Sequence, residues 1–168
     1  VFNTRNLNSD CTIEVLTPDF NGYKPSLEKV FSSSPDIFSH NIECVERISR
    51  SVRAQAVWQR SKDVLRASVE YGLITKTGMM VGLGEKDSEV YKTMDEMAEL
   101  GITIFNIGQY LQPTKKHLKV DRYVSPEQFL KYKKFGLNIG FKVVESGPLV
   151  RSSYRADKQA KLMYENAV

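Results

Sequence analysis

Short β-branched and aromatic runs alternate along this chain with segments of helical period, and that alternation limits the fold more than any other feature. "CTIEVLTPDF" (11–20) is a strand-like run closing on a Pro-Asp turn. "KPSLEKVFSS" (24–33) sets Leu27, Val30 and Phe31 on one helical face. "PDIFSHNIE" (35–43) is a second strand. Across 44–71, Trp58, Ser61, Leu65 and Val69 recur at helical steps, which predicts helix stopped by Gly72. "LITKTGMMVGLGE" (73–85) is a third strand running into a glycine turn. "DSEVYKTMDEMAELG" (87–101) is a helix with Val90, Met94, Met97 and Leu100 inward, capped by Asp87 or Ser88 and ended by Gly101. A fourth strand (102–111), a long polar loop (110–124), a helix opened by Ser125 and Pro126 (125–140), a fifth strand (141–150) and a short helix (156–166) complete the order.

This order demands an α/β fold with a largely parallel sheet and helices outside it. Right-handed crossovers then give an open doubly wound sheet or part of a barrel. In both, ligands sit at the C-terminal ends of the strands. "SHNIE", "GLGE" and "GQYLQPTKKH" each follow a strand and are expected together at that end.

The bulk numbers exclude several classes. The 168 residues suffice for one domain with a core, and a net charge of +4 with scattered Lys and Arg offers no nucleic-acid stripe. No apolar run approaches the roughly 18 residues of a membrane span, and no signal-peptide pattern is present. Cys11 and Cys44 suggest a reduced compartment rather than a disulfide framework, and by themselves they cannot build a metal cluster. The opening "VFNTRNLNSDC", without an initiator Met, reads as the interior of a longer protein.

Four stretches carry polar chemistry. In "GMMVGLGE", Gly78 permits close approach to the strand, Gly82 and Gly84 allow a turn whose amides can face a ligand, and Glu85 adds an acceptor. The spacing matches neither a dinucleotide fingerprint nor a P-loop, so a plain strand-to-helix turn competes with a binding role. In "SHNIE", His40 and Glu43 form only a weak metal pattern, whereas Asn41 and Glu43, on one face, could accept a ribose diol. In "IGQYLQPTKKH", Gln109 and Gln112 could read a base edge and Lys115, Lys116 and His117 could bind an anion, or the stretch is an exposed basic loop. The fourth, "GPLVRSSYRA" (147–156), sets Arg-Ser-Ser-Tyr after a Gly-Pro turn, where serines without a base give no reaction of their own.

Taken together, "TIEVLTPDF", "HNIE", "TKTGMMVGLGE", "IGQYLQPT", "RYVSPEQF" and "SGPLVRSSYRA" resemble the lipoyl synthases of the radical S-adenosylmethionine superfamily, in their C-terminal portion. The resemblance implies a partial (β/α)6 TIM-like barrel, of which this chain holds the C-terminal half with the last four strands. It divides the chain into barrel (1–148) and tail (149–168). It implies sulfur insertion at two carbons of a protein-bound octanoyl-lysine, with two [4Fe–4S] clusters and S-adenosylmethionine as cofactors. It assigns the adenosyl pocket to Asn41, Glu43, Arg53, Gly78, Gly82, Glu85 and Gln109. It assigns a serine ligand of the sulfur-donating cluster to Ser153, oriented by Arg151 and Tyr154. An oxygen donor binds iron less firmly than thiolate and can release as the cluster is consumed.

The cysteine triplets of the family are absent, so the chain alone is expected to be inactive, and Cys11 and Cys44 receive no ligand role. The implied partners are octanoylated lipoyl carrier domains (dehydrogenase E2 subunits, glycine cleavage H protein) and a reductant such as ferredoxin or flavodoxin, with no nucleic acid and no membrane. The implied location is the bacterial cytoplasm, or a mitochondrial matrix or plastid in a eukaryote. Two other classes remain open at this point. One is a complete α/β phosphate-ligand-binding enzyme using the glycine turn and the 115–117 cluster. The other is a non-catalytic paralogue that grips the lipoyl carrier.

Overall fold

The computed structural model describes residues 1–165, with the side chains of residues 164 and 165 left aside. Five strands form one parallel sheet in chain order: β1 (Glu14–Leu16), β2 (Ile37–Ser39), β3 (Ile74–Val81), β4 (Ile104–Gln109) and β5 (Val143–Gly147). The helices are α1 (Phe2–Leu7), α2 (Lys24–Ser32), α3 (Glu46–Val52), α4 (Trp58–Glu70), α5 (Asp87–Glu99), α6 (Pro126–Asn138) and α7 (Ala156–Glu165). The architecture is that of a partial TIM-like barrel, with the five strands that the alternation predicts rather than the four that the resemblance implies. Residue 166, the predicted end of the last helix, and the remainder of the tail to 168 lie outside the described residues.

A parallel sheet is buried on both faces, so its strands cannot alternate apolar with polar. They alternate between two different surroundings. Phe105, Ile107, Val144 and Val81 pack outward against Leu65 of α4, Met94 and Met97 of α5, and Phe129 and Tyr132 of α6. Phe38 packs outward against Leu27 and Phe31 of α2, the rings of Phe31 and Phe38 meeting edge-on at 5.1 Å. The intervening residues Ile37, Ile104 and Val143 face the inner side, where Ala160 and Met163 of α7 cover them. The terminal helix therefore lies across the inner face of the sheet.

Local signals mark the starts of α6 and α5. The Ser125 side chain accepts from the Gln128 amide at the start of α6, with Pro126 in the first turn. At α5 the expected cap differs. The residue before the helix is Lys86, and Glu89 reaches back to accept its N–H at 2.8 Å.

The predicted single helix over 44–71 is two helices, broken at 53–57. Unbroken, those residues would span about 40 Å, twice the length of α5 or α6. The break turns the chain round the end of the sheet. Its first residue, Arg53, leaves helical geometry and directs Nη1 to the Asn41 carbonyl at 3.4 Å. The predicted strands are also longer than the observed ones, whose flanks pass into loops within a residue or two.

A buried ion pair crosses the inner face. Lys76 of β3 is 1% exposed, and its Nζ lies 2.9 Å from the carboxylate of Glu14 on β1. No helix among the described residues is long and apolar enough to cross a membrane.

Candidate functional site

The segments 39–43, 78–85 and 107–112 emerge at one end of the sheet, as parallel strands require. Glu43 is stitched to β3 on both sides. Its N–H donates to the Gly78 carbonyl at 3.1 Å and its carbonyl accepts from Met80 N–H at 2.8 Å. Its φ of 70° lies in the left-handed region, which a non-glycine residue adopts only when its surroundings impose it. The Tyr110 N–H donates to the Val81 carbonyl at 2.8 Å and ties the third segment to the second.

A cavity of about 210 Å³ lies on the inner face. Asn41, Glu43 and Gly78 line it from below, and Val150, Arg151 and Ser152 from above, with Asn106 and Gly108 between. Among the described residues the Asn41 carboxamide forms no side-chain hydrogen bond. A Cβ on Gly78 would stand 3.2 Å from Asn41 Oδ1 and 3.3 Å from the Asn106 carbonyl, so glycine keeps this floor open without a shift of its neighbours. A second groove, about 550 Å³, shares Glu43 and Met80 with the first. Arg53 lines it, 4.0 Å from the Glu43 carboxylate, along with Leu83, Tyr110, Leu111, Lys116 and His117. The joined space suits a small polar molecule, for which pockets run about 300–1,000 Å³.

Gly82, Glu85 and Gln109 line neither space. Glu85 is 4% exposed, and its two oxygens accept from Gly82 N–H (2.8 Å) and Leu83 N–H (2.9 Å). Arg122 stands 3.3 Å from the same carboxylate. The turn amides expected to face a ligand are thus filled from within, and an anionic phosphate would meet a carboxylate there. Gln109 takes a similar role: its Nε2 donates to the Tyr110 and Arg122 carbonyls (3.1 and 3.0 Å), and its Oε1 accepts from Val124 N–H (2.9 Å). A Cβ on Gly82, where φ is 96°, would collide with the Gln109 carboxamide and the Arg122 carbonyl. These three residues lock the 110–124 loop onto the strand ends and shape the site from behind.

In the 115–117 cluster His117 is tied to its own loop, whereas the Lys115 and Lys116 side chains form no hydrogen bond or ion pair among the described residues. Gln112 Nε2 donates to the His117 carbonyl at 2.9 Å, and His117 Nδ1 lies 2.9 Å from the Thr114 hydroxyl.

His40 is a satisfied core residue. Its Nδ1 is 2.9 Å from the Thr17 carbonyl and its Nε2 3.0 Å from the Ser61 hydroxyl. A carbonyl only accepts, so Nδ1 carries the proton and the Ser61 hydroxyl donates to Nε2. Burial, reinforced by the charge of Arg53, lowers its pKa from 6.5. The folded chain therefore keeps His40 neutral where the unfolded chain takes up a proton. Its contribution is complete above about pH 6.5 and is lost as pH falls towards the folded value. We expect His40→Gln to flatten the pH dependence of stability between about pH 7 and 5, read as urea midpoints. An unchanged slope would contradict this assignment.

Among the described residues no group of three or more His, Cys, Asp or Glu is arranged to hold a metal. Cys11 is exposed and Cys44 buried, and burial pushes the Cys44 thiol up to about 12. Ser152 lines the cavity, whereas Ser153 is exposed and does not line it.

Sequence comparison decides the relationship. The lipoyl synthase of Flavobacterium johnsoniae is 49% identical over 155 residues, covering 92% of this chain and 54% of that protein. The lipoyl synthase of Rubrobacter xylanophilus is 51% identical over 153 residues, covering 90% and 48%. The mitochondrial lipoyl synthase of Nematostella vectensis is 48% identical over 155 residues, covering 92% and 53%. The chain is homologous to the lipoyl synthases. It matches a C-terminal portion of them and spans about half the length of these curated relatives. No family model matches the chain. Asn106 and Gly108 line the cavity and were passed over in the reading of the sequence. Asn106 could have been noticed as a lone polar side chain on the inward face of an otherwise apolar strand.

Proposed function

We propose that this chain is the half of a lipoyl synthase that binds the nucleoside of S-adenosylmethionine and presents a serine oxygen to an iron–sulfur cluster. The complete enzyme inserts two sulfurs into an octanoyl chain carried on a protein lysine. The observation that carries this reading is the placement of Arg151 and Ser152 over the same cavity that Asn41 and Glu43 line. The free carboxamide of Asn41 and the carboxylate of Glu43 suit a pair of ribose hydroxyls, since both offer acceptors to O–H donors. The missing Cβ of Gly78 leaves room for a ligand against the strand. Arg53, beside Glu43, offers a fixed positive charge for a ligand carboxylate.

When bound, S-adenosylmethionine and two [4Fe–4S] clusters supply hydrogen abstraction from unactivated carbon and the sulfur itself. This chain offers the clusters one oxygen ligand, Ser153, and their cysteine ligands come from outside it. Ser153 is exposed in this chain, as a donor to a group held by another part of the enzyme must be. The partners that fit are an octanoylated lipoyl carrier domain, such as a dehydrogenase E2 subunit or a glycine cleavage H protein, and a ferredoxin or flavodoxin reductant. The proposed compartment is the bacterial cytoplasm or the mitochondrial matrix.

The test uses the complete enzyme carrying this portion, reconstituted anaerobically and given an octanoyl-lysine peptide. The mass of the product peptide is expected to report two added sulfurs and the loss of two hydrogens. An unchanged octanoyl peptide, with S-adenosylmethionine and reductant present, would refute the reading.

A further inference from the structure

Two buried carboxamides hold the backbone of Arg151–Tyr154. Asn106 Nδ2 donates to the carbonyl of Arg151 at 3.1 Å and to that of Ser152 at 3.2 Å. Gln159 Nε2 donates to the Tyr154 carbonyl at 2.6 Å and to Asn106 Oδ1 at 3.4 Å. The Ser153 carbonyl accepts from Ala156 N–H at 3.3 Å. Every carbonyl of the four residues is thereby engaged. The serine hydroxyls are not: among the described residues neither Ser152 Oγ nor Ser153 Oγ forms a hydrogen bond. Serines in turns commonly bond to nearby backbone groups. Here the carboxamides hold the backbone and leave both oxygens free.

The two carboxamides are costly to place. Asn106 is 3% exposed and Gln159 fully buried, and Gln159 Oε1 has no hydrogen-bond partner among the described residues. A buried polar group without a partner destabilises a fold, so a side chain kept in that state is held for what its other atoms do. The backbone beneath is shaped to the same contact. A Cβ on Gly108, two residues along β4 from Asn106, would collide with the Val150 carbonyl. The tail therefore rests on an inner-face platform made of Asn106 and the bare backbone of Gly108, with Gln159 closing it from α7.

We propose that Asn106 and Gln159 are positioning residues that fix the Arg-Ser-Ser-Tyr backbone so that its serine oxygens stay free for an iron centre. The proposal rests on the reading of this segment as the donor, and the two fail separately. Amide hydrogen exchange on the chain itself reads the clamp without iron. Asn106→Val removes both donations at a site where a strand accepts valine, and Asn106→Thr keeps one hydroxyl donor. Protection of the amides of Tyr154 and Ala156 is expected to fall about tenfold in the valine variant and less in the threonine variant, with the β3 and β4 amides unchanged. Asn138→Asp, at an exposed helix end, is the control and leaves protection as it was. If Asn106→Val unfolds β4, Gln159→Leu on α7 tests the same clamp, with the same loosening expected at Tyr154.

In the complete enzyme, Gln159→Leu, at a residue that lines neither cavity, is expected to keep forming 5′-deoxyadenosine while the ratio of that product to lipoyl-lysine rises severalfold. Unchanged protection or an unchanged ratio would overturn the proposal. Loosened protection with a ratio that neither Gln159→Leu nor Ser153→Ala disturbs would instead refute the donor reading and overturn the positioning role with it.

Discussion

Glu85→Ala is expected to destabilise the chain by about 3–5 kcal/mol, because it strands two buried backbone donors and a guanidinium at once. The carboxylate is buried and accepts from Gly82 N–H and Leu83 N–H, with Arg122 at 3.3 Å. Each buried donor left unpaired costs about 1–3 kcal/mol, and breaking a buried charge pair adds to that. Arg122 keeps Asp87 at 2.6 Å, which limits the loss on its side. For a domain of this size the change corresponds to a fall of about 10 °C in Tm. Glu85→Gln, which retains one oxygen acceptor, is expected to recover part of it. Thermal unfolding followed by circular dichroism checks both, and a Glu85→Ala Tm within about 2 °C of the parent would contradict the role given to this carboxylate.

Gly108→Ala is expected to undock the tail. The added Cβ would strike the Val150 carbonyl and stand 3.3 Å from Arg151 Nη1. The strand cannot yield, since β4 pairs with β3 and β5 on both edges. The segment above it must therefore lift. The cost is of the order of the 1–3 kcal/mol of an overpacked core. It falls on the hydrogen bonds from Asn106 and on the apolar contact of α7 with Ile104, rather than on the sheet. Limited trypsin digestion reads it: cleavage after Arg151 and Arg155 is expected to speed up about tenfold while the barrel portion stays intact. Unchanged cleavage would mean that the tail does not depend on this close approach.

The sheet was legible because short β-branched and aromatic runs alternate with segments of helical period, an order that demands a parallel sheet. The break between α3 and α4 was not legible. Trp58, Ser61, Leu65 and Val69 do recur at helical steps, but nothing in 44–52 shows that Arg53 turns back towards Asn41. The cap of α5 was misread for a related reason, since Glu89 acts at a distance of three residues while Asp87 and Ser88 lie closer to hand. The site divides along the same line. Asn41, Glu43 and Gly78 meet in one cavity as their positions after or within strands suggested. Glu85 and Gln109 carry the residue types of a ligand site and are spent on backbone groups nearby, which spacing alone does not reveal. Asn106 acts on residues 45 and 46 positions away in the chain, and only the folded tail brings them together.

The serine pair offers the most direct measurement. Ser152 lines the cavity and Ser153 is exposed, so under the proposed function one substitution separates cofactor cleavage from sulfur insertion. In the complete enzyme, a single-turnover reaction with 5′-deoxyadenosine and lipoyl-lysine measured in parallel is expected to show Ser153→Ala forming the first and not the second, with Ser152→Ala retaining both. A Ser153→Ala enzyme that makes lipoyl-lysine at the parent rate would contradict the account.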